Sequence, residues 1–217
     1  MSIFDAIPSL NKPWVNSFFA LQIPKTASTS ISKCVSDRNL IQRHHQLFID
    51  RFGKHPLYRG VFDTRHAIPE HIAAIFPGKT HEFFSFVVVR DPIERIKSSY
   101  SFGRDSKMAQ VYGLSDSTTI DEYIEFLWKN RTRKDILILL PQITWVKSPY
   151  FNPHILRFEM LSQDWKEMID TFGIKYLPPL PHTNKSENKV QPSQESVKKI
   201  LDLYQNDYYY LGYDQTT

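Results

Sequence analysis

Three features of this 217-residue chain predict an α/β fold with a central parallel sheet flanked by helices. Two nearly continuous apolar runs, Ser17 to Ile23 and Phe83 to Val89, read as strands covered on both faces, as parallel strands are. Helical patterns alternate with the strand candidates, which implies βαβ units. Two polar motifs, Lys25 to Ser30 and Arg90 to Ser98, directly follow the apolar runs, at the carboxyl strand ends where parallel sheets bind ligands.

The first strand, Ser17 to Ile23, turns through Pro24 to Ser30 into a helix spanning about Thr29 to Asn39, with Ile31, Cys34 and Val35 on its inner face. Residues 40–60 read as irregular. His44 and His45 are neighbours and point to different sides of any regular element, which makes a poor metal site. Tyr58 to Phe62 is a candidate short strand, and Pro69 opens a helix that stops at Pro77-Gly78. After the second strand, Asp91 as N-cap, Pro92 at the first helical position and Glu94 as capping-box partner start the next helix.

A polar loop from Gly103 to Ser117 precedes a helix capped by Thr118 or Thr119 and carrying Ile120, Tyr123, Ile124 and Leu127. Asp135 to Leu140 reads as an apolar helix broken by Pro141. Ile155 to Phe158 is a strand candidate, and Leu161 to Phe172 an amphipathic helix closed by Gly173. A long loop over 174–192 leads to a last helix from Ser193, followed by the aromatic tail Tyr208 to Tyr213.

Length and composition fit one domain, 1–217, with an N-terminal extension over 1–16 and a core over about 17–213. Hydrophobic residues at 41% place the chain among ordinary globular proteins rather than disordered ones. The net charge of +4 favours anionic partners without naming one. The single cysteine, Cys34, excludes an intramolecular disulfide and fits a reducing compartment. The first residues lack a signal-peptide pattern, and no run approaches the roughly 20 apolar residues of a membrane span. The expected location is cytoplasmic, with no transmembrane segment.

In the first motif a helix N-terminus offers a positive dipole end and unpaired N–H donors. Thr26, Ser28, Thr29 and Ser30 add hydroxyls around Ala27, and Lys25 adds a point charge. Such a cradle suits a phosphate or a similar anion, the alternative being a serine-rich helix cap. It departs from the Walker A loop, which needs glycines on the way in and its lysine just before the helix. In the second motif Arg90 ends a strand and Ser98 follows on the next helix. A guanidinium fork suits a dianionic phosphate, and a nearby serine supplies another donor, the alternative being an ordinary ion pair of Arg90 with Asp91 or Glu94.

Ile23-Pro24-Lys25-Thr26-Ala27-Ser28-Thr29-Ser30, followed by Val89-Arg90-Asp91-Pro92-Ile93-Glu94-Arg95 and Ser98, resembles the sulfotransferases that use 3′-phosphoadenosine 5′-phosphosulfate (PAPS). The likeness is closest to the carbohydrate group that includes heparan sulfate and uronyl 2-O-sulfotransferases and their bacterial relatives. It extends more weakly to Arg65-His66-Ala67, Pro141-Gln142, Leu156 to Leu161 and Leu180 to Ser186.

The resemblance implies a P-loop-NTPase-like three-layer fold. It implies that Lys25, Thr26, Ala27, Ser28, Thr29 and Ser30 hold the 5′-phosphosulfate, that Arg90 and Ser98 hold the 3′-phosphate, and that no metal is required. It also makes His66 the candidate base for an acceptor hydroxyl on a carbohydrate, a surface or packing histidine being the competing role. Lys185 and Ser186 stand in a loop that could close over the nucleotide, the competing role being a solvated linker. Gln142 and Trp145 are candidates for the acceptor cleft, Trp145 as a stacking surface for a sugar ring, against core packing.

Two other functions compete. A P-loop kinase or NTPase lacks support from glycines in the loop and from a strand-end Asp for Mg²⁺. A nucleic-acid-binding module lacks a fold signature, and +4 is a weak charge for one.

Overall fold

Residues 17–55, 64–104, 115, 117–133, 135–174, 176–181 and 190–214 are described by a computed structural model. Three parallel strands form the sheet: β1 (Phe19–Leu21), β2 (Ser85–Val89) and β3 (His154–Arg157), in the order β1-β2-β3. Ala20 lies beside Phe86, Val87 beside Ile155 and Val89 beside Arg157.

Side chains alternate along the strands, so each run feeds both faces. Phe19, Leu21, Val87 and Val89 enter one core with Leu40, Ile41, Phe48, Ile72 and Trp145. Phe18, Ala20, Phe86, Val88 and Leu156 enter the opposite core with Ile31, Val35, Trp165 and Met168. Helices α2 (Leu40–Arg43), α3 (His45–Phe52), α4 (Pro69–Ile75) and α7 (Ile143–Val146) cover the first face, and α1 (Ser28–Val35) and α8 (Leu161–Phe172) the second. The result is the expected three-layer α/β arrangement with a parallel sheet. A separate helical cluster joins α5 (Pro92–Arg104), α6 (Ile120–Lys129) and α9 (Gln194–Leu203) around Ile96, Tyr100, Tyr123, Ile124, Leu127, Ile200 and Tyr204.

Several boundaries follow local chemistry as expected. Pro69 is the first residue of α4, and Gly173 ends α8 in the left-handed region at φ 64°, where a side chain would be strained. Thr119, rather than Thr118, caps α6 in a complete capping box with Glu122. Ser193 caps α9.

Elsewhere the structure corrects the sequence reading. Residues 40–52 hold α2 and α3 rather than an irregular stretch. In α3 only Phe48 is buried while Leu47 is exposed, so no periodic apolar stripe betrays the helix. Helix α1 stops at Val35, short of Asn39, because the Asn39 side chain instead pairs with the β1 edge and caps α2. Its Oδ1 accepts from the N–H groups of Ala20 and Ile41, and its Nδ2 donates to the Ala20 carbonyl. The expected helix over Asp135–Leu140 is a single 3₁₀ turn, Leu137–Leu139. The aromatic tail is a helix, α10 (Gln205–Leu211), which buries Asp207, Tyr208 and Leu211. Helix α5 runs to Arg104, past the expected loop start at Gly103. The candidate strand at 58–62 and the loop positions 105–114 and 116 lie outside the described residues. Among the described residues no helix is long and apolar enough to cross a membrane.

Candidate active site

The chain leaves β1 through buried Gln22 and Ile23 and turns sharply, with Lys25 and Ala27 both at φ 70°. Left-handed conformations cost non-glycine residues roughly 1–2 kcal/mol each, so the surroundings must hold this loop in place. Its carbonyls are anchored one after another. His66 Nδ1 donates to Gln22 O at 2.7 Å, the Thr26 hydroxyl to Ile23 O at 2.9 Å, Arg95 Nε to Pro24 O at 3.1 Å, and Arg90 Nη1 to Lys25 O at 3.4 Å. The loop then enters α1, whose start at Ala27 has no side-chain cap and no acidic residue in its first turn. An uncapped positive helix end beside a lysine offers N–H donors and positive charge suited to an anion.

The hydroxyl cluster divides. Thr26 is buried and its hydroxyl is engaged with Ile23, so it shapes the loop. Ser30 is buried, Ser28 is half-buried and Thr29 is exposed. Lys25 Nζ rests 3.7 Å from the centroid of the Phe102 ring. Burial first, and repulsion from Arg90 second, lower its pKa to about 8.

Arg90 extends from the end of β2 to the same loop. It is only 8% exposed, and its guanidinium lies 4.0 Å from the Phe158 ring centroid while Nη2 stands 3.8 Å from Glu94 Oε2. Its Nε has no partner, although buried polar groups are normally satisfied. Burial pulls Arg90 below its usual pKa, opposed by Glu94, Glu159 and Asp91. The capping box expected at α5 is half formed. Asp91 Oδ1 accepts the Glu94 N–H at 2.9 Å, but the Asp91 N–H goes to Glu159 Oε1 at 2.8 Å and Glu94 turns to Lys97 at 2.7 Å. Ser98 is half-buried on the same helix.

Lys25 and Arg90, 65 positions apart, therefore meet at one strand-end loop, and His66 is tied to the same loop through Gln22. Since a carbonyl only accepts, His66 Nδ1 carries the proton of that bond, and in the neutral ring Nε2 holds the lone pair.

Gln142 and Trp145 do not line a cleft. Both are 0% exposed. Trp145 packs in the core beneath β1 and β2 and its indole N–H donates to Ala67 O at 3.1 Å, so neither ring face is open to a sugar. Gln142 holds the backbone of Arg90. Lys185 and Ser186 lie outside the described residues.

Sequence reasoning missed Arg95 as an anchor of the Lys25 loop. It is fully buried, donating to Pro24 O and, through both terminal nitrogens, to Leu140 O at 3.2 and 3.3 Å. Its place in the Val89 to Arg95 motif was the available signal, but its spacing on the helix does not separate it from a solvated arginine. Gln22 was missed too. It is 3% exposed, with its Oε1 accepting from Ser32 and its Nε2 unpaired. A lone polar residue at the end of an apolar run was the available signal.

Comparison with curated proteins and with solved structures finds no match. A family model described as "Sulfotransferase family" matches residues 15–214, from just before β1 to just past α10. That match takes in both strand-end motifs, Lys25 to Ser30 and Arg90 to Ser98, and all three strands, and the chain belongs to the sulfotransferase family.

Proposed function

We propose that this sulfotransferase uses PAPS as its donor and moves the sulfuryl group to an acceptor hydroxyl, foremost a hydroxyl of a carbohydrate. The observation that carries this reading is the buried Arg90 guanidinium, in contact with the Lys25 carbonyl and with an unpaired Nε. It adds a second phosphate-binding centre to the loop of Lys25, as a donor phosphorylated at both 3′ and 5′ positions requires.

In this scheme Lys25, the Ser28 hydroxyl and the N–H groups opening α1 hold the 5′-phosphosulfate, while Arg90 and Ser98 hold the 3′-phosphate. His66 takes the acceptor proton at Nε2 as the bond from acceptor oxygen to sulfur forms and the bond from sulfur to the 5′-phosphate oxygen breaks. Lys25 neutralises charge on the departing phosphate. A sulfuryl group carries less charge than a phosphoryl group, so a lysine, hydroxyls and helix N–H groups suffice for that task. The family match over 15–214 supports one catalytic domain, with 1–16 as an extension.

Incubation with radiolabelled PAPS and a panel of glycans, lipids, peptides and small alcohols tests the reading, with label expected on a glycan. Thermal stabilisation by the product PAP without metal is expected as well, and stabilisation by ATP only with Mg²⁺ would favour a phosphotransferase instead. Lys25→Ala should lower turnover on the order of 10²-fold, the usual loss for one preorganised donor. Unchanged turnover would remove Lys25 from the mechanism.

A further inference from the structure

The Arg90 backbone is clamped at two points by a single side chain. Gln142 Oε1 accepts the Arg90 N–H at 2.9 Å, and Gln142 Nε2 donates to the Arg90 carbonyl at 2.7 Å. These are the two bonds a neighbouring strand would make, placed one residue beyond the point where the β2–β3 pairing ends at Val89 and Arg157. A side-chain amide suits both, since one end accepts and the other donates without any change of protonation.

The clamp is itself held. Asp207, on α10 and 0% exposed, accepts the Gln142 N–H at Oδ2 and the Ile143 N–H at Oδ1, both at 2.9 Å. Its carboxylate is buried within the field of Arg95, the same arginine that holds the Pro24 carbonyl of the Lys25 loop. Gln142 and Asp207 thus hold the Arg90 backbone, and Arg95 holds the neighbouring Lys25 loop.

We infer that Gln142, oriented by Asp207, is the positioning residue of the Arg90 site, and that it sets the preference for a nucleotide bearing a 3′-phosphate over one with a 5′-phosphate alone. The inference rests on the reading of Arg90 as the 3′-phosphate site. A fork that must meet a phosphate with fixed geometry loses affinity when its backbone is free to shift. The loop that holds the 5′ group is anchored at its first three carbonyls by His66, the Thr26 hydroxyl and Arg95, Arg90 adding only the longest bond at 3.4 Å, so binding of a 5′-monophosphate should depend on the clamp far less than binding of PAP.

The test is calorimetric titration of the full chain with PAP and with 5′-AMP. The parent protein should bind PAP more tightly. Gln142→Met, which keeps the volume and removes both bonds, should weaken PAP about tenfold and leave AMP within about twofold. Asp207→Asn, equal in size and still able to accept one N–H, should lower the PAP-to-AMP ratio in the same sense, and is the variant to read if Gln142→Met does not fold. A parental ratio in either folded variant overturns the positioning role and leaves the donor assignment standing. A parent protein that does not distinguish PAP from AMP overturns both.

Discussion

Lys25 faces two opposing demands. It must be charged to attract an anion, yet burial and Arg90 hold its pKa near 8, well below the ordinary 10.5. Between about 8 and 10.5 the unfolded chain binds the extra proton and the native protein does not, so this residue's contribution to stability rises with pH across that window. Anion binding runs the other way, because it selects the protonated amine. PAP affinity should be flat below pH 8 and fall by up to about tenfold per unit above it, with proton uptake on binding near pH 8. Titration in buffers of different ionisation enthalpy measures this, and a flat profile to pH 10 would show that Lys25 does not meet the ligand. The second residue-level prediction concerns Trp145. Trp145→Phe should cost about 2 kcal/mol in urea unfolding through a void and an orphaned Ala67 carbonyl, while leaving the acceptor KM of the folded protein unchanged. A raised acceptor KM at normal stability would return Trp145 to the cleft. Lys25 and Arg90 were legible in the sequence because each directly follows an apolar run. Trp145 was not, since a lone aromatic among apolar neighbours reads the same whether it packs or binds.

Among the elements, those with a local start or stop signal could be read from the chain. Thr119 accepts the Glu122 N–H at 3.2 Å and Glu122 Oε2 accepts the Thr119 N–H at 2.7 Å, a reciprocal cap visible as a four-residue pattern. Thr119→Ala should lower stability by about 1 kcal/mol, measured by chemical unfolding, and no change would mean that α6 is held by its packing against α5 and α9 alone. Helices α3 and α10 gave no such signal. Helix α3 buries one residue, and α10 mixes buried Asp207, Tyr208 and Leu211 with exposed Tyr209 and Tyr210, so neither carries a clean apolar stripe. The stretch at 135–140 misled in the opposite direction. Buried Ile136, Ile138 and Leu139 signal burial, and Pro141 ends the stretch before a second turn can form.

Across the whole molecule, the last helix completes the core begun by the first strand. Leu211 packs in the same cluster as Phe19 and Val87, Asp207 caps the start of α7, and the Arg157 guanidinium of β3 donates to the Leu211 carbonyl. Removal of residues 205–217 should therefore abolish cooperative thermal unfolding, followed by circular dichroism, since losing even one buried leucine costs about 2–5 kcal/mol. A parental transition in the truncated chain would show that α10 is an appendage. The sequence by itself determined the parallel α/β plan and the placing of the Lys25 and Arg90 motifs at strand ends, because apolar runs, helix caps and lysine or arginine after an apolar run are local patterns. Tertiary structure alone decided that Arg90 reaches the Lys25 loop, that Trp145 packs in the core, and that Gln142 and Asp207 stand behind Arg90 while Arg95 holds the loop. The hydrogen-bond partners of Arg95, Gln142 and Trp145 lie 45 to 78 positions away, and no local pattern encodes that distance.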